Sequence, residues 1–153
     1  PFSTASKTMP EHWAKFIFDY RDMHKDKDAA LLDSLIHPAS NACDDDLRHP
    51  YFESMREFYL NEPLPDGFKV KYFPIAPGRA WELAKRLEFP VLPTHILYIE
   101  YQDGEYVEGL QRFIREETSP EKRMYEVMKC PSEASMKAMQ AEAEKRLQAG
   151  EGK

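Results

Sequence analysis

The sequence predicts an α+β fold, in which four or five helices, most of them N-terminal, pack on a strongly curved antiparallel sheet. Three observations predict it. Apolar residues recur at helical spacing through roughly the first 60 residues. An alternation of period two begins at Phe68. Three strand-like runs separated by turn signals follow Pro93. Helices and strands in separate blocks are typical of this class, and 153 residues suffice for one domain with a core.

Two helices are predicted before Pro38. The first begins at Pro10-Glu11, where proline suits the first turn and glutamate faces the positive end of the helix dipole. Its apolar face has the spacing of an amphipathic helix and consists of Trp13, Phe16, Ile17, Tyr20 and His24. Asp28 is placed to cap the second helix, which Pro38 ends.

A third helix is predicted to begin at Pro50. Its expected inner side consists of Phe52, Met55, Phe58 and Tyr59. A loop rich in proline and glycine follows at 61–67. Phe68, Val70 and Tyr72 then alternate with lysines, which is typical of a half-buried strand.

Pro74 and Pro77 are expected to end this strand, because proline cannot donate to a sheet. Residues 79–88 then predict a short helix. Its anchors are Trp81, Ala84 and Leu87.

The runs 94–101, 106–115 and 123–130 predict a meander of three strands. Asp103-Gly104 between the first two is a strong hairpin signal. The first run is apolar on both faces, which favours a central strand covered on both sides. Gly109 in the second run predicts a bulge or bend.

A final helix is predicted from Ser132, its N-cap, to the glycines that follow position 149. Its apolar stripe is narrow, so it either docks on its own domain or binds a partner, including a second copy. The stripe consists of Met136, Met139, Ala143 and Leu147. The predicted organisation is a flexible arm at 1–9, an α+β domain at 10–131, and a C-terminal helix and tail at 132–153.

Composition excludes two classes of partner. The net charge is -6 and basic residues are interspersed with acids, so no nucleic-acid partner is expected. No apolar run approaches the roughly 18 residues of a membrane span, so no membrane partner is expected either. No cofactor is predicted.

The two cysteines, Cys43 and Cys130, form no CxxC pattern. A disulfide between them is one interpretation, and two buried free thiols are another. A third is a zinc site with His37 and His95, whose residue types suit that metal. The chain begins at Pro1 rather than at methionine, which together with the even cysteine count favours a periplasmic or extracellular location.

The order helix, short helix ending in His37-Pro38, helix, strand, helix and meander resembles the nuclear transport factor 2-like superfamily, which includes the SnoaL-like polyketide cyclases. The resemblance covers residues 10–131 and rests on that order and on the segment 28–38. The residues at 37–43, 93–95 and 130–131 are similar to a bacterial subgroup. Helical material at 46–60 in place of an early hairpin, and the extra C-terminal helix, depart from the usual pattern.

The resemblance implies a cone-shaped sheet, of the cystatin-like roll type, around a pocket that the N-terminal helices close. It also implies a tendency to form homodimers. The superfamily contains enzymes and pure binding modules, so fold alone does not choose between them.

The sheet predicts a pocket for a small apolar or aromatic ligand. Its expected ligand-binding residues are Tyr72, Leu97, Tyr101, Gln111 and Phe113. Gln111 is expected to orient the ligand. Arg112 and Glu100 are expected to form an exposed cross-strand ion pair.

His95 and His37 are the candidate catalytic residues for an alternative function as a hydro-lyase or isomerase. If its face lines the cone, His95 points into the pocket, where histidine suits acid–base chemistry near neutral pH. A structural histidine is the alternative for His95. For His37 the alternative is capping of the last carbonyls of the helix before it. A third functional hypothesis is a protein-interaction or dimerisation module.

Overall fold

The computed structural model describes residues 9–43, 52–62, 64–65, 67–130 and 132–150. Within these ranges the chain is α+β, with six helices and a four-stranded antiparallel sheet that does not close. The helices are α1 (Glu11–Asp26), α2 (Ala29–Leu35), α3 (Pro38–Asn41), α4 (Phe52–Asn61), α5 (Pro77–Leu87) and α6 (Glu133–Gln148). The strands are β1 (Lys69–Pro74), β2 (His95–Asp103), β3 (Tyr106–Glu117) and β4 (Arg123–Glu126). The arm expected at 1–9, apart from Met9, and the helix start expected at Pro50 lie outside the described residues.

Side-chain caps begin two helices at the positions that the sequence predicts. The Asp28 carboxylate accepts a hydrogen bond from the Leu31 amide at 3.0 Å, and the Ser132 hydroxyl accepts one from Ser135 at 3.2 Å. Pro77 occupies the first turn of α5 and so begins the helix. No helix among the described residues has the length and apolar character needed to cross a bilayer.

The strand order is β1-β2-β3-β4, so β2 is central, as its two apolar faces predict. The β2–β3 register runs without interruption from His95 opposite Ile114 to Asp103 opposite Tyr106. Gly104 has a φ of 62° in the hairpin turn, a conformation that glycine adopts without strain. Gly109 pairs in register with Glu100, so the bulge expected there is absent.

Each face of the sheet contributes to its own hydrophobic cluster. The first cluster joins α1, α2 and α4 to one face; its largest fully buried members include Trp13, Tyr20, Phe68, Leu97 and Ile99. The second joins α5 and α6 to the other face; its members include Leu83, Phe89, Leu92, Val127 and Met139. The C-terminal helix therefore docks on its own domain through Met139 and Ala143, while Leu147 is exposed.

Two predictions from the sequence are wrong, one about the inner side of α4 and one about the end of β4. Phe58 of α4 is exposed rather than inward, because the buried pair at the end of this helix is Tyr59 and Leu60. β4 ends at Glu126 instead of continuing to Cys130. Val127 makes one more backbone hydrogen bond to Phe113 of β3, at 2.9 Å, but the strand-like residues after it do not extend β4.

Cys43 and Cys130 form a disulfide, which confirms the first interpretation of the two cysteines. The two sulfurs are bonded to each other and cannot bind a metal. The prediction of a zinc site with His37 and His95 is therefore wrong.

Candidate functional site

A cavity of about 290 Å³ lies beside the outer edge of β3, beyond the point where β4 stops pairing. Gln111 and Phe113 lie on one face of β3 and Arg112 lies on the other, yet all three line the cavity. The cavity therefore lies at the edge of the strand and not on one face of the sheet. Its apolar walls are Met55, Leu87, Phe89, Phe113, Val127 and Met128. Its polar lining groups are Tyr59, Gln111, Arg112, Glu126 and Lys129.

Arg112 is buried and organises the polar end of this cavity. Its guanidinium donates to Glu62 at 2.7 Å and to the Tyr20 hydroxyl at 3.0 Å. It also donates to the carbonyl of Gln111 at 2.9 Å. The guanidinium lies 4.3 Å from the centre of the Tyr59 ring, which is cation–π geometry. Charge, hydrogen bonds and stacking together fix the side chain in one position.

Glu126 is the second acidic partner of Arg112. Its carboxylate lies 3.8 Å from the Arg112 Nε and accepts a hydrogen bond from the Tyr59 hydroxyl. Burial raises the pKa of Glu126 to about 7, although Arg112 and Tyr59 act in the opposite direction. Glu126 therefore exchanges a proton near neutral pH while it lines the cavity.

Glu62 and His24 lie behind the guanidinium. Burial raises the pKa of Glu62, with Arg112 opposing the shift, and burial together with Arg112 lowers the pKa of His24 to about 4. Neither ring nitrogen of His24 has a hydrogen-bond partner of normal geometry among the described residues, and the Glu62 Oε1 also lacks one. The backbone of Glu62 lies near the imidazole, and the two side chains approach to 3.8 Å. His24 is thus a neutral, buried ring.

The five predicted ligand-binding residues fall on opposite faces of the sheet. Tyr72, Leu97 and Tyr101 face the α1 side, where Tyr72 stacks on Trp13 with ring centres 4.3 Å apart. Gln111 and Phe113 face the other side, because they pair with Tyr98 and Ile96 rather than with Leu97. Of the five, Gln111 and Phe113 line the cavity.

The predicted exposed pair of Arg112 and Glu100 is wrong. Arg112 is opposite Leu97 and points into the first hydrophobic cluster, where Glu62 and Glu126 are its buried acidic partners. Glu100 instead lies 3.7 Å from Lys71 on the exposed part of the sheet.

His95 lines a separate groove of about 640 Å³ between the start of α5, the start of β2, the end of β3, and α6. Its Nδ1 lies 2.8 Å from the Thr94 hydroxyl, and burial lowers the pKa of the imidazole. Glu116 in the same groove contacts His12 of α1. The groove lining therefore combines an imidazole of lowered pKa with the Glu116 carboxylate.

His37 was expected, as one alternative, to cap the last carbonyls of the helix before it. It caps the start of the next helix instead. Its Nδ1 accepts a hydrogen bond from the Ala39 amide at 3.1 Å, so it caps the N-terminus of α3. Its Nε2 then donates to Glu117 at 2.9 Å. Burial acts to raise the pKa of Glu117, but this bond and nearby Arg115 outweigh it, so the pKa is lowered. Glu117 lines the His95 groove, whereas His37 itself does not.

Sequence reasoning missed Arg112, Glu126, Tyr20 and Glu62 as members of one cluster. A usable signal existed for Arg112. A hairpin with a two-residue turn after Asp103 places Asp103 opposite Tyr106 and therefore Leu97 opposite Arg112. An arginine opposite a core leucine points into the core. No local signal identifies Glu62, which follows the end of α4.

Comparisons with known proteins add no family to this description. No protein-family model matches the chain, and neither a curated protein nor a solved structure is significantly similar to it. The resemblance to the nuclear transport factor 2-like superfamily therefore stays a prediction.

Proposed function

We propose that this protein is a small-molecule-binding domain whose ligand occupies the cavity between α4, the end of α5, β3 and residues 127–129. The observation that carries the proposal is a concave space of about 290 Å³ with apolar walls and a few convergent polar groups. This combination is typical of ligand sites, whose volumes are roughly 300–1,000 Å³. The size at the lower end of that range favours a small ligand.

The geometry also supports specific orientation of the ligand. Arg112, Tyr59 and Glu126 hold one another in fixed positions, so their polar groups are arranged before a ligand arrives. Preorganisation of this kind reduces the entropic cost of binding. The cone-shaped sheet of the resembled superfamily is part of the proposal, because strong curvature would extend this cavity toward the first hydrophobic cluster.

A fragment screen by thermal shift tests the proposal with two tryptophan variants of α4. Met55 lines the cavity, and Met55→Trp is designed to fill it. Phe58→Trp is the matched control, since Phe58 is exposed on the same helix. Fragments should raise the melting temperature of the wild type and of the control but not of Met55→Trp. Equal stabilisation of all three proteins would contradict the proposal.

A second candidate function is acid–base catalysis by His95, as a hydro-lyase or isomerase. It is favoured by an imidazole of lowered pKa that lines a groove beside Glu116. The proposed step is removal of a proton next to a carbonyl group. The test is deuterium exchange from heavy water into cyclohexanone, followed by NMR. Exchange that is faster than in buffer and lost in His95→Gln is expected, and equal exchange in both proteins would contradict it.

We also propose homodimerisation, and an oxidising compartment such as the periplasm or the extracellular space. The dimer follows from the resemblance alone, and sedimentation equilibrium measures it directly. The compartment is supported by the disulfide, because such bonds persist where thiols are not kept reduced.

A further inference from the structure

We propose that Glu126 restricts the cavity to neutral ligands that carry a single hydrogen-bonding head group, such as an amide, hydroxyl or carbonyl, and that it excludes carboxylates. This inference deepens the proposed function and rests on it. It concerns the charge of the ligand, which the apolar walls do not determine.

The balance of charge at the polar end of the cavity carries the inference. One buried guanidinium faces two buried carboxylates, Glu62 at 2.7 Å and Glu126 at 3.8 Å. Arg112 is therefore already neutralised by Glu62, and Glu126 is the surplus negative group. Because Glu126 lines the cavity and Glu62 does not, a ligand carboxylate beside Arg112 would also lie beside Glu126. Like charges in a buried site repel strongly.

The other groups around Glu126 do not change this balance. Tyr59 and Tyr20 are neutral, since burial raises the pKa of each hydroxyl well above its usual range. His24 is neutral as well. Lys129 at the cavity lining is paired with Glu88 at 3.2 Å, so its charge is compensated. A neutral head group accepts hydrogen bonds from Arg112 or shares a proton with Glu126 without adding a buried charge.

Benzamide and benzoate are matched probes, because they have the same shape and differ in charge. Isothermal titration of the wild type at pH 8 is expected to show benzamide binding at least roughly tenfold more tightly than benzoate. In Glu126→Gln the difference should fall to within about threefold, mainly through tighter benzoate binding. Glu100→Gln, which removes an exposed carboxylate outside the cavity lining, should keep the wild-type preference.

A pH series on the wild type keeps the inference testable if Glu126→Gln fails to fold. Benzoate affinity should rise as the pH falls below about 7, where Glu126 takes up a proton, while benzamide affinity stays constant. Benzoate binding as tight as benzamide at pH 8 would overturn this inference and leave the proposed function standing. Absence of binding by both probes, together with absence of any stabilising fragment, would overturn both.

Discussion

Arg112 is the residue on which the candidate site depends, because it links α1, α4 and β4 through buried polar contacts. Tyr20, Glu62 and Glu126 all lie within 3.8 Å of its guanidinium. Buried charges of this kind stabilise a fold only as a complete set, since removing one partner leaves another charge buried alone. The same set supplies the polar end of the cavity.

Arg112→Met is therefore expected to lower the free energy of unfolding by roughly 3–5 kcal/mol. The substitution keeps most of the apolar stem but leaves two buried carboxylates without a cation. Lys71→Met is the control, because the Lys71–Glu100 pair is exposed and is worth at most about 1 kcal/mol. Urea unfolding measures both. A loss in Arg112→Met no larger than in the control would contradict the role assigned to Arg112.

His24 is expected to make the protein sensitive to acid. Its pKa of about 4 in the folded protein lies below the usual histidine value of 6.5, because burial and Arg112 disfavour the charged ring, so folding favours the neutral form. The stability that this shift contributes is fully present above pH 6.5 and is lost as the pH falls toward 4. His24→Leu removes this pH dependence. As the pH falls from 6.5 toward 4, its free energy of unfolding should therefore rise relative to that of the wild type, by on the order of 3 kcal/mol from the size of the pKa shift.

Thermal unfolding between pH 7.5 and pH 4.5 measures this difference. Met23→Leu is a matched control on the same helix, because Met23 is buried and carries no titratable group. A constant difference in melting temperature between wild type and His24→Leu at all pH values would show that His24 does not titrate as inferred.

Spacing in the sequence predicts which side chains are buried, but not their polar partners. The helical spacing of Trp13, Phe16 and Tyr20 correctly predicts a buried face, since all three are at most 3% exposed. Tyr20 was predicted only as an apolar contact, because spacing reveals burial but not the hydrogen bond that its hydroxyl accepts. Long-range partners such as Glu62 depend on how α4 packs, which no local pattern encodes.

Among the elements, the segment 127–130 determines the wall of the cavity. The Ser40 hydroxyl bonds both the amide and the carbonyl of Met128, at 3.0 and 2.8 Å. The amide of Cys130 donates to the carbonyl of Glu88 at 2.8 Å, and its sulfur is bonded to Cys43. The Val127 amide still donates to the carbonyl of Phe113 in β3 at 2.9 Å, and beyond it contacts with α3 and with the end of α5 hold the segment.

Replacing both cysteines with serine is expected to destabilise the protein and loosen this wall. The disulfide spans 87 residues, and closing a loop of that length contributes about 4–5 kcal/mol on the chain-entropy model. We expect a lower melting temperature, faster hydrogen exchange at residues 127–130 and weaker benzamide binding. Wild type in reducing buffer should behave like the double variant. Unchanged exchange at 127–130 would contradict the supporting role of the disulfide.

Element boundaries were predictable where a cap or turn marks them. Asp28 and Ser132 cap their helices as expected, and the Asp103-Gly104 turn closes the predicted hairpin. The end of β4 was not predictable, because Val127 and Met128 have the composition of a strand whether they face a strand or a helix. Pro77 likewise suits both a strand end and a helix start.

For the whole molecule, the sequence predicted the α+β class, which the structure confirms. It predicted four or five helices, whereas the described residues form six, because α3 begins at Pro38 where no helix was expected. It also predicted that the central strand is covered on both sides, but not that α5 and α6 cover the second face. That arrangement splits the expected ligand residues between two faces and leaves the cavity at the edge of β3. Cavities arise from the packing of distant segments, so composition and periodicity carry little information about them.

The most direct test of the proposed function uses the methionine methyl groups as reporters in NMR. Met55 and Met128 line the cavity, whereas Met23, Met124 and Met139 are buried elsewhere. The protein labelled at its methionine methyls is titrated with benzamide. We expect saturable shifts concentrated at Met55 and Met128. Saturable shifts confined to the other methionines, or none at all, would contradict a ligand site in this cavity.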